Sequence, residues 1–238
     1  CTPVQWIVYP TNKCPYNCPH CIMKLERQNQ ASLPSETMAK IPVDAQRLGV
    51  KLVRFVGGGE PLMHPDTMQT IEECKKRGIK TSLDTNGYLL PQDCTDVDYL
   101  RISVDAGWPE TYAKVHGVKP EAFKRLETNL KRVKCHELGL AFLITPTNYQ
   151  EIYRFVEWAS QFNPTFIHVR PAYLEPDYLE GKDKLLSLLP QIDKIKAAVL
   201  SDYPHVFFRT DKFDNVWKSR CYGQCRATPL KAVLTATG

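Results

Sequence analysis

The residues with the most evident chemistry are three cysteines in one short loop, Cys14-Pro-Tyr-Asn-Cys18-Pro-His-Cys21. Thiolates spaced as CX3CX2C can converge on a soft metal or an iron–sulfur centre. A closed structural zinc site would need a fourth ligand. His20 is adjacent in sequence, but it would have to turn back onto a metal already held by the flanking cysteines, which is sterically poor. Three cysteines instead leave one iron of a [4Fe-4S] cluster open, and an open coordination position is what a catalytic centre needs. A second pair, Cys221 and Cys225, lies near the end of the chain and is a possible auxiliary metal site, although two ligands alone make a poor closed one. Nine cysteines, odd in number and clustered, argue against a secreted disulfide framework. Cys1, Cys74, Cys94 and Cys135 are scattered and read as small core or surface residues.

Such a loop needs a frame, and the apolar pattern supplies one. Strands are predicted at Gln5–Tyr9, Leu52–Val56, Ile79–Asp84, Tyr99–Val104, Leu140–Ile144 and Phe166–Arg170. Helical patterns separate most of them, at about 35–48, 65–77, 109–116, 120–137 and 149–160, and a long amphipathic helix follows at 182–201. Six strands alternating with helices predict a parallel sheet with right-handed crossovers, and nearly continuous apolar strands predict burial on both faces. One connection is thin: the stretch from Tyr88 to Asp98, which contains Pro91, is short for a crossover helix. It reads as an abbreviated crossover or a place where residues are missing.

In α/β folds of this kind ligands gather at the C-terminal ends of the strands. The distinctive residues fall there: the cysteine loop, Gly57–Pro61, Asp84–Gly87, Ser103 and Asp105, Thr145–Asn148 and Arg170. Motifs separated by most of the chain would thus meet at one rim. Arg170 could pair with a carboxylate or phosphate, or serve a structural ion pair. Tyr9, His64, His168 and Tyr173 are protic, but no catalytic side chain is singled out. The net charge of +5 is mild, and its densest basic stretch, Lys124–Lys134, sits on a predicted helix and reads as a solvated face, which disfavours nucleic acid as a partner. No run reaches the length of a membrane span and no secretory leader is visible, so a cytoplasmic protein is expected. With Cys1 at its head, the sequence reads as trimmed.

CX3CX2C after the first strand and a Gly-Gly-Glu motif after the second, here CPYNCPHC and GGGEP, resemble the signature of the radical S-adenosylmethionine (SAM) superfamily over about residues 5–175. The resemblance implies a (βα)6 partial TIM barrel over 1–205, and a [4Fe-4S] cluster on Cys14, Cys18 and Cys21 whose open iron is chelated by the methionyl amine and carboxylate of SAM. Reductive cleavage would then give a 5′-deoxyadenosyl radical that abstracts hydrogen from a substrate. It further implies that Gly58, Gly59 and Glu60, followed by Pro61, meet the methionyl amino group, and that His20 stands where an adenine-packing residue is expected. Ser103 and Asp105 would lie near the SAM carboxylate and ribose, and Asn86 and Asn148 in loops lining the pocket.

The segment 206–238 resembles the start of a SPASM or twitch extension, which binds auxiliary iron–sulfur clusters, and is expected to be incomplete. Peptide maturation is the first substrate class implied, and a sugar, aminocyclitol or nucleotide dehydrogenase or epimerase the alternative. A reducing partner such as flavodoxin or ferredoxin is also implied. The competing class, a non-catalytic iron–sulfur or metal-binding module, would need neither the glycine run nor a barrel pocket.

Overall fold

A computed structural model describes residues 3–172, 179–209 and 230–238. Cys1, Tyr173, Cys221 and Cys225 lie outside the described residues, so the auxiliary pair is not placed.

The six predicted strands all form: β1 Gln5–Val8, β2 Leu52–Phe55, β3 Lys80–Thr85, β4 Tyr99–Ser103, β5 Glu137–Ile144 and β6 Phe166–Pro171. Two short strands join them, β7 Phe207–Phe208 and β8 Lys231–Leu234. The sheet runs β7-β6-β5-β4-β3-β2-β1-β8, every pair parallel and the ends not joined. This is an open partial barrel. β8 comes from the segment read as an extension, yet it pairs with β1 in register, Gln5 opposite Lys231 and Val8 opposite Leu234.

The helices are α1 Ser35–Arg47, α2 Thr67–Lys76, α3 Pro109–His116, α4 Glu121–Arg132, α5 Ile152–Ser160, α6 Leu179–Ser187 and α7 Leu189–Asp202. Two differ from the periodicity. The helix expected to run to 137 stops at Arg132, because Val133 turns extended and Lys134 bridges Asp93. The long helix expected at 182–201 is two helices, since Pro190 sits in the first turn of α7, where a missing N–H costs nothing.

The thin connection after β3 contains no helix. Its backbone is paired instead with the segment after α4, through Cys94 N to Lys134 O and Lys134 N to Gln92 O, each 2.8 Å. Asp98 then accepts from Thr81 N at 2.9 Å, tying the end of the crossover to β3.

The expectation of burial on both sheet faces holds on β5, where residues 138–142 are all buried, and is corrected on β2, β4 and β6, which alternate. Alternate residues Val53, Phe55, Leu100, Ile102, Leu140 and Phe142 are buried with helix residues such as Met38, Ile71, Leu126 and Phe155. The intervening positions Arg54, Asp84, Arg101, His168 and Arg170 are only half-buried. Period-two alternation puts these on the opposite, concave face. A barrel interior holding a cavity has room for charge, and the covered outer face supplies the apolar core.

At one place the sheet demands a residue without a side chain. Gly139 lies in register with Phe166, whose ring covers the position a Cβ would take. Gly139→Ala should therefore destabilise the fold by about 1–3 kcal/mol through overpacking. In urea unfolding the penalty should shrink in a Phe166→Ala background; an equal penalty in both backgrounds would disprove the contact.

Candidate active site

The site begins with the turn that presents the thiols. After β1 the chain passes through Thr11, whose hydroxyl pairs with Ala31 O and Ser32 Oγ, and Asn12, whose amide donates to Glu26 O at 2.9 Å and Asn29 Oδ1 at 2.6 Å. These bonds fold residues 26–32 back over the start of the cysteine loop. Arg27 donates to Tyr16 O, pinning the loop's middle.

The glycine run after β2 packs straight onto that turn. Gly59 N donates to Thr11 O at 2.7 Å and Glu60 N to Lys13 O at 2.8 Å. A Cβ on Gly59 would collide with the backbone of Asn12 and Lys13, and one on Gly58 with the Asn12 amide. The sequence reading took these glycines as small because a ligand approaches them; the cysteine loop itself makes the same demand.

Glu60 then joins β2 to β3. It is 3% exposed, and its carboxylate accepts from Thr85 Oγ1 at 2.6 Å, Asn86 N at 2.9 Å and Leu62 N at 3.2 Å. Burial pushes its carboxyl up to about 7 against the pull of these donors. Asn86 accepts from Tyr88 N through Oδ1 and turns its Nδ2 toward Cys14 Sγ at 4.0 Å.

On the far side of the cavity, Asp105 has a left-handed backbone, φ 59°, which a short polar side chain tolerates better than most. Its Oδ1 accepts from Leu143 N at 2.7 Å on β5, and Oδ2 lies 3.7 Å from His116 Nε2. Burial raises its carboxyl to about 7. Asn148 braces the turn: its amide donates to Asp105 O at 2.8 Å and Leu143 O at 2.9 Å and accepts from Thr145. His116 contacts Val104 O through Nε2 at 2.9 Å and Cys18 Sγ through Nδ1 at 3.3 Å, and burial lowers its imidazole to about 3.

These elements enclose a cavity of about 250 Å3. Of the residues singled out from sequence, Cys14, Cys18, Cys21, His20, Gly59, Glu60, Pro61, Asn86, Ser103, Asp105 and Arg170 line it. Gly58 and Asn148 stand behind the lining, in the roles just described. His64 is occupied elsewhere, by Leu33 O at 2.8 Å and Asp66 N at 3.2 Å. Tyr16 and Asp84, which lie inside stretches singled out from sequence as a whole, also line the cavity, and so do Arg101, Leu143 and His116, which were not picked out. A charged residue interrupting an apolar strand, as in YLRIS, was a usable signal for Arg101; nothing local marks His116.

The chemistry of the donor set fits an iron–sulfur cluster, although among the described residues no three potential ligands are yet gathered closely enough to hold a metal ion. Three soft thiols open into one cavity, and they sit on a loop whose backbone is fixed from two sides. Burial raises the Cys14 and Cys18 thiols above their ordinary range, as it must before a metal supplies compensating charge. Burial pushes half-buried His20 down to about 4, leaving a neutral ring on the cavity lining.

Gly59→Ala should lift the glycine run off the cysteine loop. Iron bound after anaerobic reconstitution should fall by half or more while far-UV dichroism is retained; full iron content would remove the packing argument. Glu60 sets a pH dependence. Its folded value lies above the unfolded one, so the folded state holds the proton longer and stability falls as pH rises from about 4.5 to about 7. The stability of wild type relative to Glu60→Gln should therefore decline over that interval and level off above it; urea titrations at successive pH values would refute this with a flat difference.

The family model described as the radical SAM superfamily matches residues 8–159. A probable GTP 3′,8-cyclase of Sulfolobus acidocaldarius is 27% identical over 172 residues, 67% of this chain and 53% of its own length. The PqqA peptide cyclase of Gluconobacter oxydans is 24% identical over 205 residues, 83% of this chain and 57% of its own. The structure of Streptococcus suis SuiB bound to precursor peptide SuiA superposes with a TM-score of 0.72 at 18% identity, over 100% of this chain and 58% of that one, a likeness of fold. The chain thus spans between 53% and 58% of the length of these relatives. With the match covering more than half of the sequence and both signature loops meeting at one cavity, the chain belongs to the radical SAM superfamily.

Proposed function

We propose that this chain carries the catalytic barrel of an enzyme that reductively cleaves SAM and uses the product to abstract hydrogen from a substrate. The observation that carries the reading is the meeting of the three thiols, the glycine run and Ser103 with Asp105 at a single cavity on the C-terminal rim. When bound, a [4Fe-4S] cluster supplies the electron that splits SAM, giving methionine and a 5′-deoxyadenosyl radical.

Cys14, Cys18 and Cys21 would hold the cluster. The N–H groups of Gly59 and Glu60 are spent on Thr11 and Lys13, and Glu60 O accepts from Met63 N, so at Gly59 what is left for a ligand is its carbonyl oxygen, an acceptor suited to an amino group. Ser103 lines the cavity, and its hydroxyl would be a donor for a carboxylate or ribose. Asp105 keeps Oδ2 for a hydroxyl while Oδ1 holds β5, and Asn148 acts through it as a positioning residue. His20, on the cavity lining, would pack on adenine.

The substrate class we favour is a peptide undergoing maturation, on the likeness to PqqA peptide cyclase and to the fold of SuiB with its precursor peptide. A small molecule is the second reading, favoured by the relatives described as probable GTP 3′,8-cyclases. Flavodoxin or ferredoxin would deliver the electron. Segment 206–238 is read as the beginning of a SPASM or twitch extension, with Cys221 and Cys225 among its ligands. A cytoplasmic location is proposed; among the described residues no helix is long and apolar enough to cross a membrane.

Anaerobic reconstitution with iron and sulfide, followed by SAM and dithionite, should yield 5′-deoxyadenosine. Cys18→Ala should reduce the yield to that of the protein-free control. Candidate peptides and GTP can then be ranked by how far each raises the yield. Failure of the cluster-loaded wild type to bind SAM would leave only a non-catalytic iron–sulfur module.

A further inference from the structure

The concave face of the sheet carries three arginines, Arg54 on β2, Arg101 on β4 and Arg170 on β6, and one acid that serves two of them. Asp84 on β3 accepts from Arg54 Nε at 3.0 Å and from Arg101 at 2.8 Å, both on Oδ2. Arg101 also has a buried Nε with no acceptor among the described residues. Arg170 lines the cavity and, among the described residues, has neither a carboxylate at ion-pair distance nor a hydrogen-bond acceptor.

The other acids nearby are committed. Glu60 is bound by Thr85, Asn86 and Leu62, and Asp105 by Leu143 with His116 beside it. Both carboxylates are thus held by other donors, and among the described residues neither lies at ion-pair distance from an arginine. The interior therefore has a surplus of positive charge, and a guanidinium out of bulk water calls for an anion. SAM does not supply it. With a sulfonium, an ammonium and a single carboxylate, SAM is cationic overall, and adds to the surplus. The negative charge of a thiolate-bound cluster is met first by SAM, which would sit on it, so an anion for Arg170 would come with the other reactant, and the planar guanidinium fork suits a carboxylate or phosphate.

The geometry points to an oxyanion subsite in the barrel, in which Arg170, backed by Arg101, holds a carboxylate or phosphate group of the substrate. This rests on the proposed function, because it takes the cavity to be the reaction chamber. It makes the preferred substrate an acidic one, whether an acidic peptide side chain or a phosphorylated small molecule.

The test uses the cluster-loaded protein saturated with SAM, with inorganic phosphate and glutarate as probes and chloride at matched ionic strength as control. Thermal midpoints against probe concentration give apparent affinities, and equilibrium dialysis gives SAM affinity separately. Wild type should show saturable stabilisation by at least one probe beyond chloride. Arg170→Met should weaken it by about tenfold or more and leave SAM affinity within about twofold. Arg170→Lys, which keeps the charge but loses the fork, should fall between and serves if the Met variant does not fold. Stronger stabilisation by phosphate would mark a phosphorylated substrate, and by glutarate an acidic side chain. The inference is overturned if neither probe exceeds chloride, if Arg170→Met binds the probes as wild type does, or if SAM affinity falls in parallel, which would put Arg170 on the methionyl carboxylate. Wild type that binds the probes but no SAM would overturn the function proposed above, and with it the assignment of the anion to a substrate.

Discussion

The contact on which the rest of the site depends is backbone against backbone, where the glycine run after β2 lies on the turn that begins the cysteine loop. Two hydrogen bonds, from Gly59 N to Thr11 O and from Glu60 N to Lys13 O, need the chains so close that no Cβ fits at Gly58 or Gly59. Once that seat forms, Glu60 has its place fixed. Its carboxylate can then reach Thr85 and Asn86 and carry the alignment from β2 to β3. Asn86 in turn reaches the first thiol. A loop of otherwise irregular backbone is thereby held at three places, and it is the sheet, through β1, β2 and β3 in register, that sets their spacing.

The concave face adds a second constraint. Filling it with apolar side chains would give more burial, but the chain instead puts Arg54, Asp84 and Arg101 on three adjacent strands and links them through a single carboxylate oxygen. Such an arrangement offsets the cost of burying charge only when each partner stays in place. It also keeps a volume open beneath the thiols that apolar packing would close. The same logic applies across the cavity, where Asp105 and Asn148 tie β4 to β5 through four backbone contacts.

How far this was legible from sequence follows from which forces act locally. The six principal strands, the order of motifs and the rim on which they meet follow from apolar periodicity and the direction of parallel strands, and those expectations hold. β7 and β8 are too short to show a period, and β8 is fixed by pairing with β1, a partner more than two hundred residues away. The break at Leu188 was readable from Pro190, whereas the early end of α4 depends on a bridge to Asp93 that no local pattern announces. In the site, the three thiols and the glycine run are chemically unusual and stand out. His116 does not, since its two contacts, Val104 O and Cys18 Sγ, come from different elements brought together only by folding.

His116 also shows how the site tolerates three thiols with no positive group hydrogen-bonded to them among the described residues. Its Nε2 lies 2.9 Å from a carbonyl oxygen, which accepts and cannot donate, so the proton of the neutral ring belongs on Nε2. Nδ1 is then an acceptor, and its contact with Cys18 requires the sulfur to donate as S–H. Burial pushes the Cys18 thiol up and the His116 imidazole down, which favours this neutral pair over its ionised form. The folded apoprotein can thus keep its ligands on one cavity without the repulsion of three thiolates. Metal binding must release their protons, so the charge of the metal replaces the protons in the same cavity. The site is preorganised in backbone while its charge is left for the metal to set.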